Sequence, residues 1–194
     1  MASRYPELVR ALTQKSLKRG RFVLSSGRVS DYYIDGKLTS MDPQGAALIA
    51  DAILREVEGL PVDAIGGMDM GATPIVGAVA LRSYYVGRPL PTFVVRKDVK
   101  RHGTMKLIEG PLTPPARVVI IDDVVTTGDS ILKAIDAVQQ AGCEVLLALS
   151  VLDRSAGAAE ALARRGIEYR PLATLRDLGI EDGQGTRGSQ VSAG

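Results

Sequence analysis

Short apolar segments alternate with amphipathic ones from residue 62 to residue 173, and this alternation limits the fold more than any other feature. The apolar segments predict strands at 62–65, 92–95, 118–121, 145–151 and 168–173. The amphipathic segments predict helices at 74–85, 128–141 and 156–165. Strands that alternate with helices form a parallel sheet with helices on both faces. We therefore predict an α/β fold with a central, mostly parallel sheet flanked by helices.

The first 40 residues lack this alternation. An apolar side opposite basic residues predicts a helix over residues 5–19. Two extended segments, 22–24 and 32–35, lie on either side of a Ser-Ser-Gly-Arg turn and predict an antiparallel hairpin. These elements predict a small N-terminal hood of one helix and one hairpin.

We expect a single domain over residues 1–180, made of the hood (1–40) and a core (41–180). Asp42-Pro43 predicts the start of a core helix, with aspartate as the N-cap and proline in the first turn. Residues 181–194 are rich in Gly and Ser and have no apolar periodicity, so we expect a flexible tail.

Composition argues against several classes of protein. The 194 residues carry 24 basic and 22 acidic side chains, a net charge of +2 that predicts no nucleic-acid partner. No stretch reaches the roughly 20 apolar residues of a membrane span, so we expect no membrane partner. Charged residues interrupt the first 20 positions, unlike a signal peptide. Cys143 is the single cysteine, which fits a reducing compartment, and we expect a cytoplasmic protein.

The segment from Val118 to Ser130 carries the strongest functional pattern. An apolar strand ends in two adjacent carboxylates, and a short loop then opens onto a helix. Free N–H groups at a helix start bind anions, and carboxylates accept hydrogen bonds from ribose hydroxyls. The pattern predicts a ribose 5-phosphate site, with an ordinary capped strand–helix turn as the alternative. The predicted binding residues are Asp122, Asp123, Val124, Val125, Thr126, Thr127, Gly128, Asp129 and Ser130.

This segment closely resembles the signature with which type I phosphoribosyltransferases bind phosphoribosyl pyrophosphate (PRPP). A second segment has the order Arg96-Lys97, Lys100 and His102-Gly103. It resembles the catalytic loop of the orotate phosphoribosyltransferase family, and the alternatives are a solvated basic loop and a nucleic-acid patch. The resemblance implies a homodimer in which the mobile 96–110 loop covers the neighbouring subunit's pyrophosphate. It assigns PRPP contacts to the four basic residues Arg96, Lys97, Lys100 and His102.

Two further segments resemble parts of the family that contact the base. Residues 22–35 resemble its N-terminal hairpin, and Leu152-Asp153-Arg154 resembles a strand end at which the arginine faces orotate. Arginine forms bidentate hydrogen bonds with a carboxylate, a group that orotate has and uracil lacks. Pairing of Arg154 with an acid on the surface is the alternative. The resemblance thus implies that Thr126 and Arg154 bind orotate.

The chain departs from the family at two positions. Ser25 and Met70 stand where many members carry a lysine, the first at the base and the second at the pyrophosphate. Arg28 and Lys37 are the candidates to replace that charge, and the sequence does not choose between them.

The resemblance implies a type I phosphoribosyltransferase fold and transfer of the phosphoribosyl group from PRPP to orotate. The products are orotidine 5-phosphate and pyrophosphate, a step in UMP biosynthesis. It implies catalytic roles for Lys100, His102, Asp122 and Asp123, and Mg²⁺ carried mainly by substrate and water rather than by the protein. The alternatives are a phosphoribosyltransferase for another base and a non-catalytic PRPP-binding regulator.

Overall fold

The computed structural model describes residues 3–23, 29–97 and 106–180. The central sheet consists of β3 (Ala64–Met68), β4 (Thr92–Val95), β5 (Ile108–Glu109), β6 (Arg117–Val125), β7 (Glu144–Asp153) and β8 (Tyr169–Pro171). Their order in the sheet is β5-β4-β3-β6-β7-β8. All neighbouring pairs are parallel except β4 and β5. The structure confirms the predicted central, mostly parallel sheet.

Helices cover both faces of this sheet. They are α3 (Pro43–Glu56), α4 (Thr73–Tyr85), α5 (Asp129–Gln140) and α6 (Ala158–Ala163). Along β6, Val119 and Ile121 belong to the core cluster that includes α3 and α4, whereas Val118 and Ile120 belong to the cluster that includes α5. Successive strand residues point to opposite faces, so an unbroken apolar run serves both cores. None of the described helices is long and apolar enough to cross a membrane.

The predicted start of the first core helix is confirmed. Asp42 Oδ1 accepts a hydrogen bond from the backbone N–H of Gly45 at 2.9 Å, which satisfies one free donor of the first turn of α3. Ile49 and Ile53 in this helix and Val57, its C-cap, are spaced four residues apart and are at most 1% exposed, so this face is buried.

The N-terminal helix ends earlier than its pattern predicts. The hood contains α1 (Pro6–Ala11), a π-helical turn (Leu12–Ser16), β1 (Leu17–Val23), β2 (Val29–Ile34) and α2 (Lys37–Ser40). The helix predicted over residues 5–19 is wrong after Ser16, because Leu17, Lys18 and Arg19 pair with β2. The predicted hairpin is confirmed, whereas α2 and β5 were not predicted. The predicted tail, 181–194, lies outside the described residues.

A buried carboxylate joins the hood to the core. Glu56 at the end of α3 accepts a hydrogen bond from Tyr5 Oη at 2.5 Å and lies 2.8 Å from Arg4 and 3.5 Å from Arg170. Burial, followed by this hydrogen bond, raises the pKa of Tyr5 to about 12. The phenol therefore remains a donor at physiological pH and ties the N-terminal segment to α3.

A glycine lets β3 approach β6 closely. A methyl group at Gly67 would collide with the carbonyl oxygen of Ile121, whereas one at Gly77 on the exposed side of α4 meets open space. We expect Gly67→Ala to lower the free energy of unfolding by about 1–3 kcal/mol, the usual cost of overpacking. Gly77→Ala should raise it by up to about 1 kcal/mol. Urea unfolding tests this pair, and equal effects of both substitutions would contradict the packing described.

Candidate active site

The carboxyl ends of β3, β4, β6 and β7 meet at one edge of the sheet because these strands are parallel. The segments that follow them begin at Asp69, Arg96, Thr126 and Arg154. In open α/β sheets ligands bind at this edge. The predicted site residues that the structure describes therefore come from segments that share one edge.

The two carboxylates lie within β6 rather than after it, because the strand continues to Val125. Asp122 is only 5% exposed. Its Oδ2 accepts a hydrogen bond from Ser130 Oγ at 2.5 Å, and its Oδ1 accepts one from the Asp123 N–H at 2.9 Å. Asp123 Oδ1 in turn accepts from the Val124 N–H at 2.8 Å. Both side chains are thereby fixed at the sheet edge before any ligand arrives.

Burial raises the pKa of Asp122 from its ordinary value of 3.8 to about 6. The hydrogen bond from Ser130 acts in the opposite direction, and the neighbouring charge of Asp123 adds to the rise. A carboxylate that is buried and only partly compensated destabilises the fold when it is ionised. Such a group is a candidate for function rather than for stability.

The helix that follows the carboxylates starts without a side-chain cap. Gly128 has φ 88°, a left-handed conformation that favours glycine, and it is the N-cap of α5. Its carbonyl accepts the N–H of Leu132 at 2.9 Å, so the preceding N–H groups of the first turn have no partner within the helix. Thr126 and Thr127 are exposed beside them. This helix start has the properties of an anion site.

Val124 and Val125 contribute differently from their neighbours. The N–H of Val124 is engaged by Asp123, and the side chain of Val125 is buried in the core beside α5. The exposed side chains of the loop therefore begin after Val125, at Thr126.

Two glycines pack their backbones against the carboxylates. A side chain at Gly71 would collide with Asp122 Oδ1 and lie 2.6 Å from Asp123 Oδ1. One at Gly36 would lie 3.0 Å from Asp123 Oδ2. The loop after β3 thus borders both carboxylates, and the segment after β2 borders Asp123. Gly71 follows Met70, one of the two departures from the family, whereas nothing in the sequence pointed to Gly36.

Lys37 follows Gly36 and brings an ammonium group to the carboxylates. Its Nζ lies 4.0 Å from Asp123 Oδ2 and 3.6 Å from Asp35 Oδ1. Of the two candidates for replacing the missing lysines, Arg28 lies outside the described residues, as does Ser25. The other departure, Met70, is 63% exposed in the loop after β3.

Arg154 connects the end of β7 with the hairpin. Its backbone N–H donates to the carbonyl of Val125 at 2.9 Å, which places it next to Thr126. Its guanidinium carbon lies 5.6 Å from the ring centre of the buried Tyr32 on β2. Its Nε is buried and has no hydrogen-bond partner among the residues described. The surface ion pair with Asp153 or Glu160, the alternative for this residue, is absent from the described residues.

The basic loop is described only at its two ends. Arg96 Nη1 lies 3.9 Å from Glu109 Oε1, and Lys97 is exposed. Both follow β4 at the same sheet edge as the carboxylates. Lys100 and His102 lie outside the described residues. Within the described part of the chain, no group of three or more Asp, Glu, His or Cys side chains is placed to hold a metal ion.

These groups lie at one edge of the sheet. An uncapped helix start suits a phosphate, two adjacent carboxylates suit sugar hydroxyls, and an arginine with a free donor suits a planar anion. The arrangement therefore fits a phosphorylated sugar next to an anionic, planar co-substrate.

Known proteins with the same fold and sequence pattern were found. Residues 42–168 match the family profile described as phosphoribosyl transferase domain. An orotate phosphoribosyltransferase of Rhodopirellula baltica is 42% identical over 180 residues, which cover 90% of this chain and 93% of that protein. Two solved structures of Mycobacterium tuberculosis orotate phosphoribosyltransferase each cover 91% of this chain and 99% of their own. The complex with Fe(III) dicitrate has a TM-score of 0.83 at 39% identity, and the complex with PRPP has 0.78 at 36%.

The raised pKa of Asp122 predicts a pH-dependent effect on stability. Because the carboxyl titrates near 3.8 when unfolded and about 6 when folded, wild-type stability falls as pH rises between these values. Asp122→Asn keeps the shape without the charge, so the ligand-free variant should be more stable by about 1–3 kcal/mol near pH 7.5. Below about pH 4 the gain should vanish.

Urea unfolding at the two pH values measures this difference. Glu144→Gln, which removes an exposed carboxylate at the start of β7, is the control and should change stability little at either pH. A gain that is the same at both pH values, or no gain at all, would show that Asp122 is not destabilised by burial.

Proposed function

The chain belongs to the phosphoribosyltransferase family, as one of its orotate phosphoribosyltransferases, and we propose how its residues carry out that reaction. The enzyme transfers the 5-phosphoribosyl group of PRPP to orotate, giving orotidine 5-phosphate and pyrophosphate in pyrimidine biosynthesis. The observation that carries the mechanism is the uncapped start of α5 beside Asp122 and Asp123.

PRPP binds with its 5-phosphate on the backbone and hydroxyl donors of residues 126–130. The ribose then lies over Asp122 and Asp123, which accept hydrogen bonds from its hydroxyls. The Mycobacterium tuberculosis relative was solved in complex with PRPP, which supports this ligand. Both carboxylates also face the sugar as it gains positive charge, so they stabilise the transition state electrostatically.

Orotate lies between the hairpin, Thr126 and Arg154. The free Nε of Arg154 and its position above Tyr32 support this assignment, because a guanidinium held by an aromatic face presents its donors in one plane. The Arg154 guanidinium pairs with the carboxylate of orotate. The bond from the anomeric carbon to pyrophosphate breaks, and a ring nitrogen of orotate forms the new bond to that carbon.

Negative charge grows on pyrophosphate as it leaves. Arg96, Lys97, Lys100 and His102 supply cationic donors to it when the 96–110 loop closes and excludes water. Mg²⁺ suits the same task, and the described carboxylates are oxygen donors of the kind it accepts. Because the described residues offer no three-residue metal cluster, we propose that the ion is held mainly by substrate oxygens and water.

We propose that two subunits form a homodimer. The end of α4 and the residue after it expose four apolar side chains, each more than half exposed: Leu81, Tyr84, Tyr85 and Val86. A cluster of this kind on one helix end is typical of a protein–protein contact. The family resemblance, rather than this surface, assigns the 96–110 loop to the neighbouring subunit's site. We also propose a cytoplasmic location, because the single thiol, Cys143, is free and buried.

Pyrophosphate release with PRPP, Mg²⁺ and a panel of bases tests the function. We expect release with orotate that stops when any of the three components is left out. Comparable release with uracil or adenine would favour a phosphoribosyltransferase for another base. Salt-dependent nucleic-acid binding without pyrophosphate release would favour a regulator.

Arg154→Gln tests the orotate contact separately. Loss of a charge-assisted, bidentate hydrogen-bonded contact should raise the KM for orotate by about 10–100-fold and leave the KM for PRPP nearly unchanged. Arg154→Lys keeps the charge but not the planar guanidinium. Its KM for orotate should lie between those of Arg154→Gln and the wild-type enzyme. An equal rise in both KM values would contradict the assignment.

Mixed dimers test whether the loop is shared across the interface. Lys100→Ala should lower kcat by at least about 10²-fold, the scale of removing one electrostatic stabiliser. Asp123→Asn should be similarly impaired. In a mixed dimer with a shared loop, one site receives both intact residues, so random mixing should restore roughly a quarter of wild-type activity. If each loop served its own subunit, mixing would restore none.

A further inference from the structure

Lys37 is held next to a carboxylate of the site by two neighbouring features. Gly36 lets the backbone approach Asp123, and Asp35 Oδ1 accepts the backbone N–H of Lys37 at 3.1 Å. The ammonium lies 4.0 Å from Asp123 Oδ2. Among the residues that the structure describes, no other lysine or arginine is within ion-pair distance of Asp122 or Asp123.

Stability alone does not explain this position. The Lys37 side chain is 46% exposed, and both of its ion pairs are long. Exposed ion pairs contribute little to stability because water and salt screen them. A mobile ammonium next to a ligand-binding carboxylate is better suited to an incoming anion.

The loop after β3, which borders Asp123, supplies no positive charge of its own. Residues 69–72 are Asp-Met-Gly-Ala, and Gly71 packs against Asp122 and against Asp123, the carboxylate that Lys37 approaches. The side chain that this loop directs to solvent is the uncharged Met70. Asp35 lies 3.6 Å from the Lys37 ammonium, and Asp122 and Asp123 lie against Gly71, so three carboxylates border this region. A strongly anionic group that binds there needs a cation from another element.

We propose that Lys37 binds the pyrophosphate group of PRPP. The inference rests on the proposed placement of the sugar over Asp122 and Asp123. The anomeric carbon is bonded to the carbon that bears the 2-hydroxyl, so the pyrophosphate leaves the sugar close to the carboxylates. Rotation of the flexible lysine stem then moves the ammonium from Asp123 onto a phosphate oxygen. The hood thereby supplies a charge that the loop after β3 lacks.

Binding of three ligands by the intact protein tests this role. With Mg²⁺ present, Lys37→Met should weaken PRPP and pyrophosphate binding by about tenfold or more in calorimetry. Ribose 5-phosphate, which occupies the phosphate and sugar positions without a pyrophosphate, should bind within about twofold of wild type. Lys37→Arg should recover most of the PRPP affinity, and Lys18→Met, which removes an exposed lysine on β1, should change none of the three.

Each other outcome overturns the proposal. Equal loss of ribose 5-phosphate and PRPP binding would mean that Lys37 acts on the sugar through Asp123. Unchanged binding of all three ligands by Lys37→Met, with a lower urea midpoint, would mean that the ion pairs are structural. Failure of the wild-type protein to bind PRPP would contradict the proposed function itself, independently of Lys37.

Discussion

The contact between Asp122 and Ser130 joins the end of β6 to the first turn of α5, and the rest of the site is arranged around it. It holds a carboxylate in a position with 5% exposure, where burial raises its pKa. A fold selected only for stability would place an apolar side chain there. The unfavourable charge is retained next to an uncapped helix start, so the sheet edge offers hydroxyl acceptors and anion donors side by side.

Two other segments reach this edge of the sheet because a glycine in each lets the backbone come close to it. Gly71 brings the loop after β3 against both carboxylates, and Gly36 brings the segment after β2 against Asp123. The hood is therefore part of the site rather than an appendage. It contributes Lys37 beside Asp123 and the ring of Tyr32 beneath Arg154. In the proposed reaction, binding of the sugar phosphate and of the planar base therefore draws on both the hood and the core.

Periodicity predicted the core well and the hood less well. The strand at 92–95 has the predicted bounds, and the helices predicted at 74–85 and 128–141 are observed at Thr73–Tyr85 and Asp129–Gln140. The N-terminal helix was extended too far because Leu17 continues the apolar pattern, although its backbone pairs with β2. The site loop was visible in the sequence because its residues are consecutive. Lys37 could not be assigned, since its approach to Asp123 depends on how the hood packs on the core.

A crystal structure of the protein with PRPP and Mg²⁺ would show where the phosphate and the sugar bind. We expect the 5-phosphate within hydrogen-bond distance of backbone N–H groups of residues 126–130. The ribose hydroxyls should lie within the same distance of the Asp122 and Asp123 carboxylates. A phosphate bound elsewhere, or a sugar that touches neither carboxylate, would contradict this binding mode.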